Sequence, residues 1–271
     1  MTHGPRDETR PDAERAEAAS TGQAAVLAEL IRDADSVVAL TGAGISVPSG
    51  IPDFRSPGTG LWQNVDPMEV AHIDAFHRDP QRFWSFYGQR FQTLEEKQPN
   101  RAHRVLAALE AAGRLEAVIT QNVDCLHGRA GSREVVEVHG SIRSSSCLTC
   151  GAGYELENVR ERQRGDREGI LRCDCGQPLK PDVVLFGEYL PAGALERAQQ
   201  LAAAADLMLC VGSSLEVYPV AALPEVTLAA GGKLAIVTQS PTGFDHRASV
   251  RLGGDVVEEL VAVAVELELE V

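Results

Sequence analysis

Six short apolar runs, SVVAL (36–40), AVIT (117–120), VVEV (135–138), DVVLF (182–186), LMLCV (207–211) and LAIV (234–237), recur along the chain between segments of helical periodicity. Runs of this length, rich in β-branched residues and lacking polar alternation, fit strands buried on both faces. The intervening segments include AAVLAELIRDA (24–34), AHRVLAALEAAG (102–113) and ALERAQQLAAAA (194–205), whose apolar residues fall at helical spacing. Strand and helix therefore alternate as in βαβ units, which predicts an α/β fold built on a parallel sheet covered by helices on both faces. A length of 271 residues allows one large domain or two unequal ones.

Two stretches interrupt that rhythm. Residues 55–98 carry no convincing strand, but FHRDPQRFWSFYGQRFQTLEE has a helix start near Asp79-Pro80 and an aromatic face at Phe83, Trp84, Phe86, Tyr87 and Phe91. Core packing accounts for most of those rings. Residues 141–179 hold two close cysteine pairs around the polar, Arg-rich NVRERQRGDREG. Residues 1 to about 20 mix Pro, Ala and both charge signs without a periodic apolar face and read as a loose tail. No internal repeat is found. The N-terminus lacks an apolar signal region, and the apolar runs are far too short to span a bilayer, so a soluble, cytoplasmic protein without membrane contact is expected. A net charge of −14, with no Lys/Arg-rich block, repels phosphate backbones and argues against nucleic-acid binding while leaving basic partners open.

The first run leads into TGAGISVPSGIPDFR (41–55). Gly42 and Gly44 allow a sharp turn and close approach to a ligand, and free N–H groups at a following helix start favour a pyrophosphate. The position three beyond Gly44 is Val47, so the dehydrogenase fingerprint G-x-G-x-x-G is not satisfied. The continuation puts Ser46, Asp53, Phe54 and Arg55 in one polar loop, where Arg55 suits a phosphate and Phe54 a ring. TQNVDCLH (120–127) directly follows AVIT and clusters Gln121, Asn122 and Asp124 where open α/β sheets meet their ligands; helix capping is the structural alternative for Asn122 and Asp124. His139, in VEVHGS at the end of the next run, is the best candidate for a general base, although a lone strand-end histidine is commonly structural.

Of the six cysteines, Cys147 and Cys150 form a C-x-x-C pair and Cys173 and Cys175 a C-x-C pair. Two such knuckles suit one tetrahedral Zn²⁺, and four thiolates leave no position for water, so the ion is expected to be structural. Disulfides are the alternative, disfavoured by the absence of a secretion signal. Cys125, near His127, invites a nucleophile reading, with a small buried hydrophobe as the simpler one.

Together, GAGISVPSGIPDFR, TQNVDCLH, VHGS, the four cysteines, PDVVLFGE (181–188) and GSSLEVYPVA (212–221) resemble the sirtuins, NAD-dependent protein-lysine deacylases, of bacterial type; the resemblance covers about residues 24–265. It implies a flexible tail (1–22), a discontinuous Rossmann-like NAD-binding domain (23–66, 99–140 and 180–271), and a smaller lobe made of a helical module (67–98) and a zinc module (141–179). It implies that Ala43, Gly44, Ser46, Val47, Phe54 and Arg55 line the NAD site. Gln121, Asn122, Val123 and Asp124 would surround the nicotinamide ribose, with Val123 and Asp124 on the carboxamide. Gly212, Ser213 and Ser214 would meet the phosphate and adenosine side, Thr238 and Gln239 the adenosine ribose, and Asp255 and Val256 the adenine. His139 would act as base, with Asn122 beside it. Val183, Val184, Phe186 and Gly187 would pair with an acyl-lysine peptide by β-augmentation. The implied products are nicotinamide, free lysine and O-acyl-ADP-ribose, so NAD is a consumed co-substrate.

Two departures stand out. Thr238-Gln239 occupies the place where the family commonly carries an Asn toward the adenosine ribose. Tyr87 and Arg90, spaced i and i+3 on one helix face, match the Tyr-x-x-Arg of members that prefer succinyl or malonyl groups, where phenol and guanidinium bind the distal carboxylate. The alternative for that pair is a core aromatic and a solvated arginine. Two other functions remain open: protein mono-ADP-ribosyl transfer in the same cleft, and a non-catalytic zinc-stabilised NAD-binding module.

Overall fold

A computed structural model describes the backbone of residues 10–53, 58, 60, 63, 65–165 and 170–271, with side chains from residue 22 onward except at 89–92, 95, 160 and 163–165. The periodic apolar residues from Ala24 lie on α1 (Arg10–Asp33), which buries Ala24, Leu27, Ala28 and Ile31. Its backbone is already helical from Arg10, inside the stretch expected to be a loose tail; the Ala, Glu and Arg residues there are strong helix formers even without an apolar face. The run after it forms β1 (Val37–Thr41), buried throughout, which passes through Gly42 into a 3₁₀ turn, Ala43–Ser49.

Three helices follow, α2 (Pro67–Val70), α3 (Ile73–Arg78) and α4 (Pro80–Glu96). The predicted start at Asp79-Pro80 is the start of α4, because the Asp79 carboxylate accepts the Arg82 N–H at 2.9 Å and Pro80 needs no partner at the first helical position. The chain continues through α5 (Arg101–Ala111), β2 (Ala117–Thr120), α6 (Leu126–Ala130), β3 (Val135–Glu137), β4 (Gly140–Cys147), β5 (Gly153–Glu155), α7 (Leu156–Gly165) and β6 (Leu179–Val183). It ends with α8 (Ala194–Ala204), β7 (Leu207–Val211), α9 (Leu223–Ala229), β8 (Lys233–Val237), β9 (Val250–Leu252) and α10 (Val256–Glu266).

The main sheet has six parallel strands in the order β3-β2-β1-β7-β8-β9. One face packs α1, α5 and α10 through Leu27, Ile31, Leu106, Leu109, Leu260 and Val263; the other packs α8 and α9 through Ala198, Leu201 and Leu223. This is the doubly covered, Rossmann-like α/β arrangement. Truncating any of these buried leucines to alanine would cost about 2–5 kcal/mol. Strand order reverses between β1 and β7, and in open α/β sheets the loops diverging at that point form the ligand crevice.

DVVLF does not join that sheet. The strand lies earlier, at β6, and pairs antiparallel with β4 in a second, three-stranded sheet ordered β5-β4-β6. Residues 180–183, at the start of the expected 180–271 segment, are thus strand residues of the small sheet. A third core joins this sheet to the helical module, burying Phe76, Phe83, Trp84, Leu171, Leu179 and Leu185. Phe83 stacks on Tyr87 at 4.6 Å and meets Phe76 and Trp84 edge-on, so much of the aromatic stripe is core, as expected.

Candidate active site

The loops leaving β1 and β7 touch. Gly42 N–H donates to Val211 O at 3.0 Å and Gly44 N–H to Gly212 O at 2.8 Å. A Cβ on Gly42 or Gly44 would stand 2.8 Å from Gly212 backbone atoms, and Gly212 itself has φ +59 with space for a Cβ only 2.2 Å from Ile45 N. These glycines, expected to admit a ligand, first of all admit one another.

On that platform the polar residues of the 41–55 and 120–127 segments form one network. The Ser46 hydroxyl donates to Asp124 Oδ2 at 2.7 Å and accepts from Asn122 Nδ2 at 3.3 Å; Asn122 Nδ2 also donates to Gly42 O at 3.0 Å. Gln121 Nε2 donates to Ser213 Oγ at 2.8 Å, tying the β2 end to the β7 end. Burial raises the Asp124 carboxyl above its ordinary value, opposed by the Leu126 N–H and the Ser46 hydroxyl, which favour the charged form. The capping alternative is thus partly realised: Asp124 holds the first turn of α6 while its other oxygen serves the network.

Two histidines lie behind this wall. His103 Nε2 is 3.4 Å from Ser46 Oγ and His127 Nε2 is 2.9 Å from Thr41 Oγ1, with ring centroids 4.9 Å apart. Both hydroxyl protons are already given away, to Asp124 and Thr120, so each histidine is the donor through Nε2. Neither Nδ1 has a partner among the described residues, which leaves a lone pair and no orphan N–H. Desolvation lowers His103 to about 4 and His127 to about 3, keeping both rings neutral.

His139 has the opposite tautomer. Its Nδ1 lies 3.1 Å from the Gln121 carbonyl, which can only accept, so Nδ1 carries the proton and Nε2 the lone pair. Burial lowers its pKa, against the raising effect of that carbonyl. It borders a cavity of about 550 Å³ also lined by Ala43, Ser46, Gln121, Asn122, Val123, Asp124 and Tyr87, and by the wall Val183, Val184, Phe186 and Gly187. That wall is held from both sides: Val184 N–H donates to His139 O at 2.8 Å, and Phe186 exchanges bonds with Ala71 O at 2.8 Å and Ile73 N at 3.0 Å. Leu185, Tyr189 and the Val217–Pro219 segment line the cavity too and were not anticipated. The quoted GSSLEVYPVA motif contains the last three, so the signal was present but was read only at its glycine and serines.

Several expected residues do not line this cavity. Val47 faces solvent, and Gly44 is closed against Gly212. Thr238 and Gln239 follow β8, their carbonyls held at 3.1 and 3.2 Å by Arg251 Nη2. Asp255 caps α10, its Oδ1 accepting from Val257 N and Glu258 N, and Val256 packs in the core. Phe54 and Arg55 lie outside the described residues, as does the Arg90 side chain.

In the small lobe, Cys147, Cys150, Cys173 and Cys175 bring four sulfurs within 4.8 Å of one another, with Cys147–Cys175 and Cys150–Cys173 each 3.5 Å apart. Sulfurs on a tetrahedral zinc at about 2.3 Å stand roughly this far apart, so the donor set fits one Zn²⁺. The C-x-C knuckle is braced by Tyr154, whose hydroxyl lies 3.3 Å from Cys173 Sγ and accepts Asp174 N–H at 3.1 Å.

A family profile described as "Sir2 family" matches residues 42–219. The chain is 47% identical over 229 residues to the NAD-dependent protein deacetylase of Sulfolobus acidocaldarius, covering 84% of this chain and 88% of that one. To the NAD-dependent protein deacetylase of Thermotoga maritima it is 43% identical, covering 85% and 92%. Among solved structures it is similar to a complex titled "Sir2-p53 peptide-NAD+", with TM-score 0.82, 43% identity and coverage of 89% and 96%. It is also similar to "Sir2 bound to acetylated peptide", with TM-score 0.81, 40% identity and coverage of 89% and 97%.

Proposed function

The chain belongs to the Sir2 family, and from that membership we propose how its residues divide the work of an NAD-dependent protein-lysine deacylase. His139 is the general base. The observation that carries this is its tautomer: Nδ1 is committed to the Gln121 carbonyl, which leaves Nε2 as the nitrogen able to take a proton, on a ring that burial keeps neutral. Asn122 and Asp124, fixed by Ser46, orient the nicotinamide end of the co-substrate, and Gln121, Gly212 and Ser213 border its path toward the sheet. Val183–Gly187 receives the peptide main chain, which directs an acylated lysine side chain toward the same cavity.

NAD, when bound, supplies the ribose carbon that accepts the acyl oxygen. The chain's own contribution is to exclude water, hold the carboxamide and accept a ribose hydroxyl proton at His139. Cys147, Cys150, Cys173 and Cys175 would hold one Zn²⁺ with all four positions filled, so that the ion would serve the folding of the small lobe and not the chemistry.

The acyl group is acetyl, with succinyl and malonyl as the further substrates that Tyr87 in the cavity lining supports. Thiol ligands favour a reducing compartment, in keeping with a cytoplasmic location. Incubation with NAD and matched acetyl-, succinyl- and malonyl-lysine peptides, followed by mass, tests the reading. Nicotinamide, free-lysine peptide and O-acyl-ADP-ribose in equal amounts are expected. Protein-bound ADP-ribose without deacylated peptide would establish the transferase instead, and bound NAD without nicotinamide release the non-catalytic module.

A further inference from the structure

Lys180 is a buried lysine whose ammonium makes three contacts: Pro181 O at 3.0 Å, Val183 O at 2.9 Å and Glu188 Oε2 at 2.9 Å. The side chains of Lys180 and Glu188 are only 8% and 21% exposed. The same Glu188 oxygen accepts the Leu185 N–H at 2.9 Å, and the Glu188 N–H closes back on Leu185 O at 3.1 Å. The turn 185–188 is therefore held by its own main chain and by a carboxylate, with an ammonium on that carboxylate from the preceding strand. Gly187, with φ +85, passes so close to His72 that a Cβ would meet its ring at 2.8 Å.

Such a pair is a poor way to gain stability. Removing two charges from water costs several kcal/mol, which their attraction at best offsets, and well-packed apolar replacements are often neutral or stabilising. What the pair supplies is direction. Lys180 fixes the carbonyl of Val183 and, through Glu188, the N–H of Leu185, the two ends of the stretch that carries Val184 against the His139 carbonyl.

We propose that Lys180 and Glu188 are positioning residues that set the backbone of Val183–Gly187 for the acyl-lysine peptide. They act through that segment: Glu188 borders the cavity, but its carboxylate is spent on the Lys180 ammonium and the Leu185 N–H. This inference rests on the deacylase reading, which assigns the segment to the peptide.

The test uses the full chain loaded with zinc, an acetyl-lysine peptide and NAD, with Lys180→Met, Glu188→Gln and the double variant Lys180→Met/Glu188→Leu. Each single variant leaves a buried charge unpaired and loses stability; the double variant removes both charges at the cost of the acceptor of the Leu185 N–H, and its thermal midpoint is expected between those of the parent and the single variants. In the double variant the peptide KM is expected to rise about tenfold, while kcat moves far less and the NAD KM changes by less than about twofold. A stable double variant with the parent's peptide KM overturns the proposal, as does an equal rise in both KM values, which would mark general loosening. Failure of the parent protein to release nicotinamide strikes the deacylase reading itself, whereas an unchanged peptide KM in an active double variant strikes only the ion pair.

Discussion

His139 and Gln121 are joined side chain to main chain: the imidazole Nδ1–H donates to the Gln121 carbonyl at 3.1 Å, while the Gln121 side chain reaches the opposite way to Ser213. A single residue at the end of β2 thus sets the tautomer of His139 and ties together the loops of β2 and β7.

As the proposed base, His139 works only when neutral, and burial lowers its pKa from the ordinary 6.5. Activity at saturating substrates should therefore hold as pH falls through 6.5 and decline only below it. His139→Ala should lower kcat by about 10²–10⁴-fold. A pH–rate profile breaking above pH 6.5, or full turnover by the alanine variant, would remove His139 from that role.

Ser46 is the hub between Asn122 and Asp124. Ser46→Ala leaves a buried carboxylate oxygen and an amide each one bond short, at about 1–3 kcal/mol apiece. The NAD KM should rise about tenfold or more, with the peptide KM little affected; initial-rate kinetics in both substrates separate the two.

The four-sulfur cluster predicts one zinc per chain by elemental analysis. Cys150→Ala, or prolonged chelation, should abolish zinc retention and lower the thermal midpoint, because binding energy at such a site is folding energy. Circular dichroism and zinc release with a colorimetric chelator read the two together.

His103 and His127 are neutral in the fold, at about 4 and 3, against 6.5 when exposed. Between those limits the unfolded chain binds protons that the folded chain refuses, so stability falls as pH falls below 6.5. The expected slope is up to about 1.4 kcal/mol per pH unit for each histidine. Denaturant unfolding at pH 7.5, 6 and 5 measures it, and His127→Gln, which keeps a donor toward Thr41 but does not titrate there, should flatten it.

Tyr87 lines the cavity while stacking on Phe83. If its phenol meets an acidic acyl group together with Arg90, then Tyr87→Phe and Arg90→Met should reduce kcat/KM for a succinyl peptide about tenfold or more and leave the acetyl peptide nearly unchanged. Equal losses on both would make the pair structural.

Four strands of the main sheet were legible because they are buried on both faces and so read as unbroken apolar runs: β1, β2, β7 and β8 lie at or within a residue of SVVAL, AVIT, LMLCV and LAIV, whereas the three-residue β9 was too short to stand out. The small sheet was not. Its β4 is GSIRSSSC and its β6 is LKPDV, polar strands without a clean alternation, so the apolar DVVLF drew the prediction downstream of the true pairing. In the site, residues adjacent in the chain could be grouped by motif. Partners distant in sequence could not: nothing in the spacing of His103 and His127, or of Lys180 and Glu188, announces that they meet.

Gly140 and Val183 face each other on one rung of the β4–β6 ladder, and a Cβ on Gly140 would collide with Asp182 O at 2.0 Å. Opposed residues of an antiparallel pair stand about 5 Å apart, a gap that a two-residue turn spans. The chain therefore enters and leaves residues 141–182 at a single rung. Cutting there would let a zinc lobe from another family member be spliced in with the six-stranded sheet keeping its own connectivity, provided the incoming lobe brings an apolar face for Phe83 and Trp84 and an acceptor for the Trp84 indole N–H.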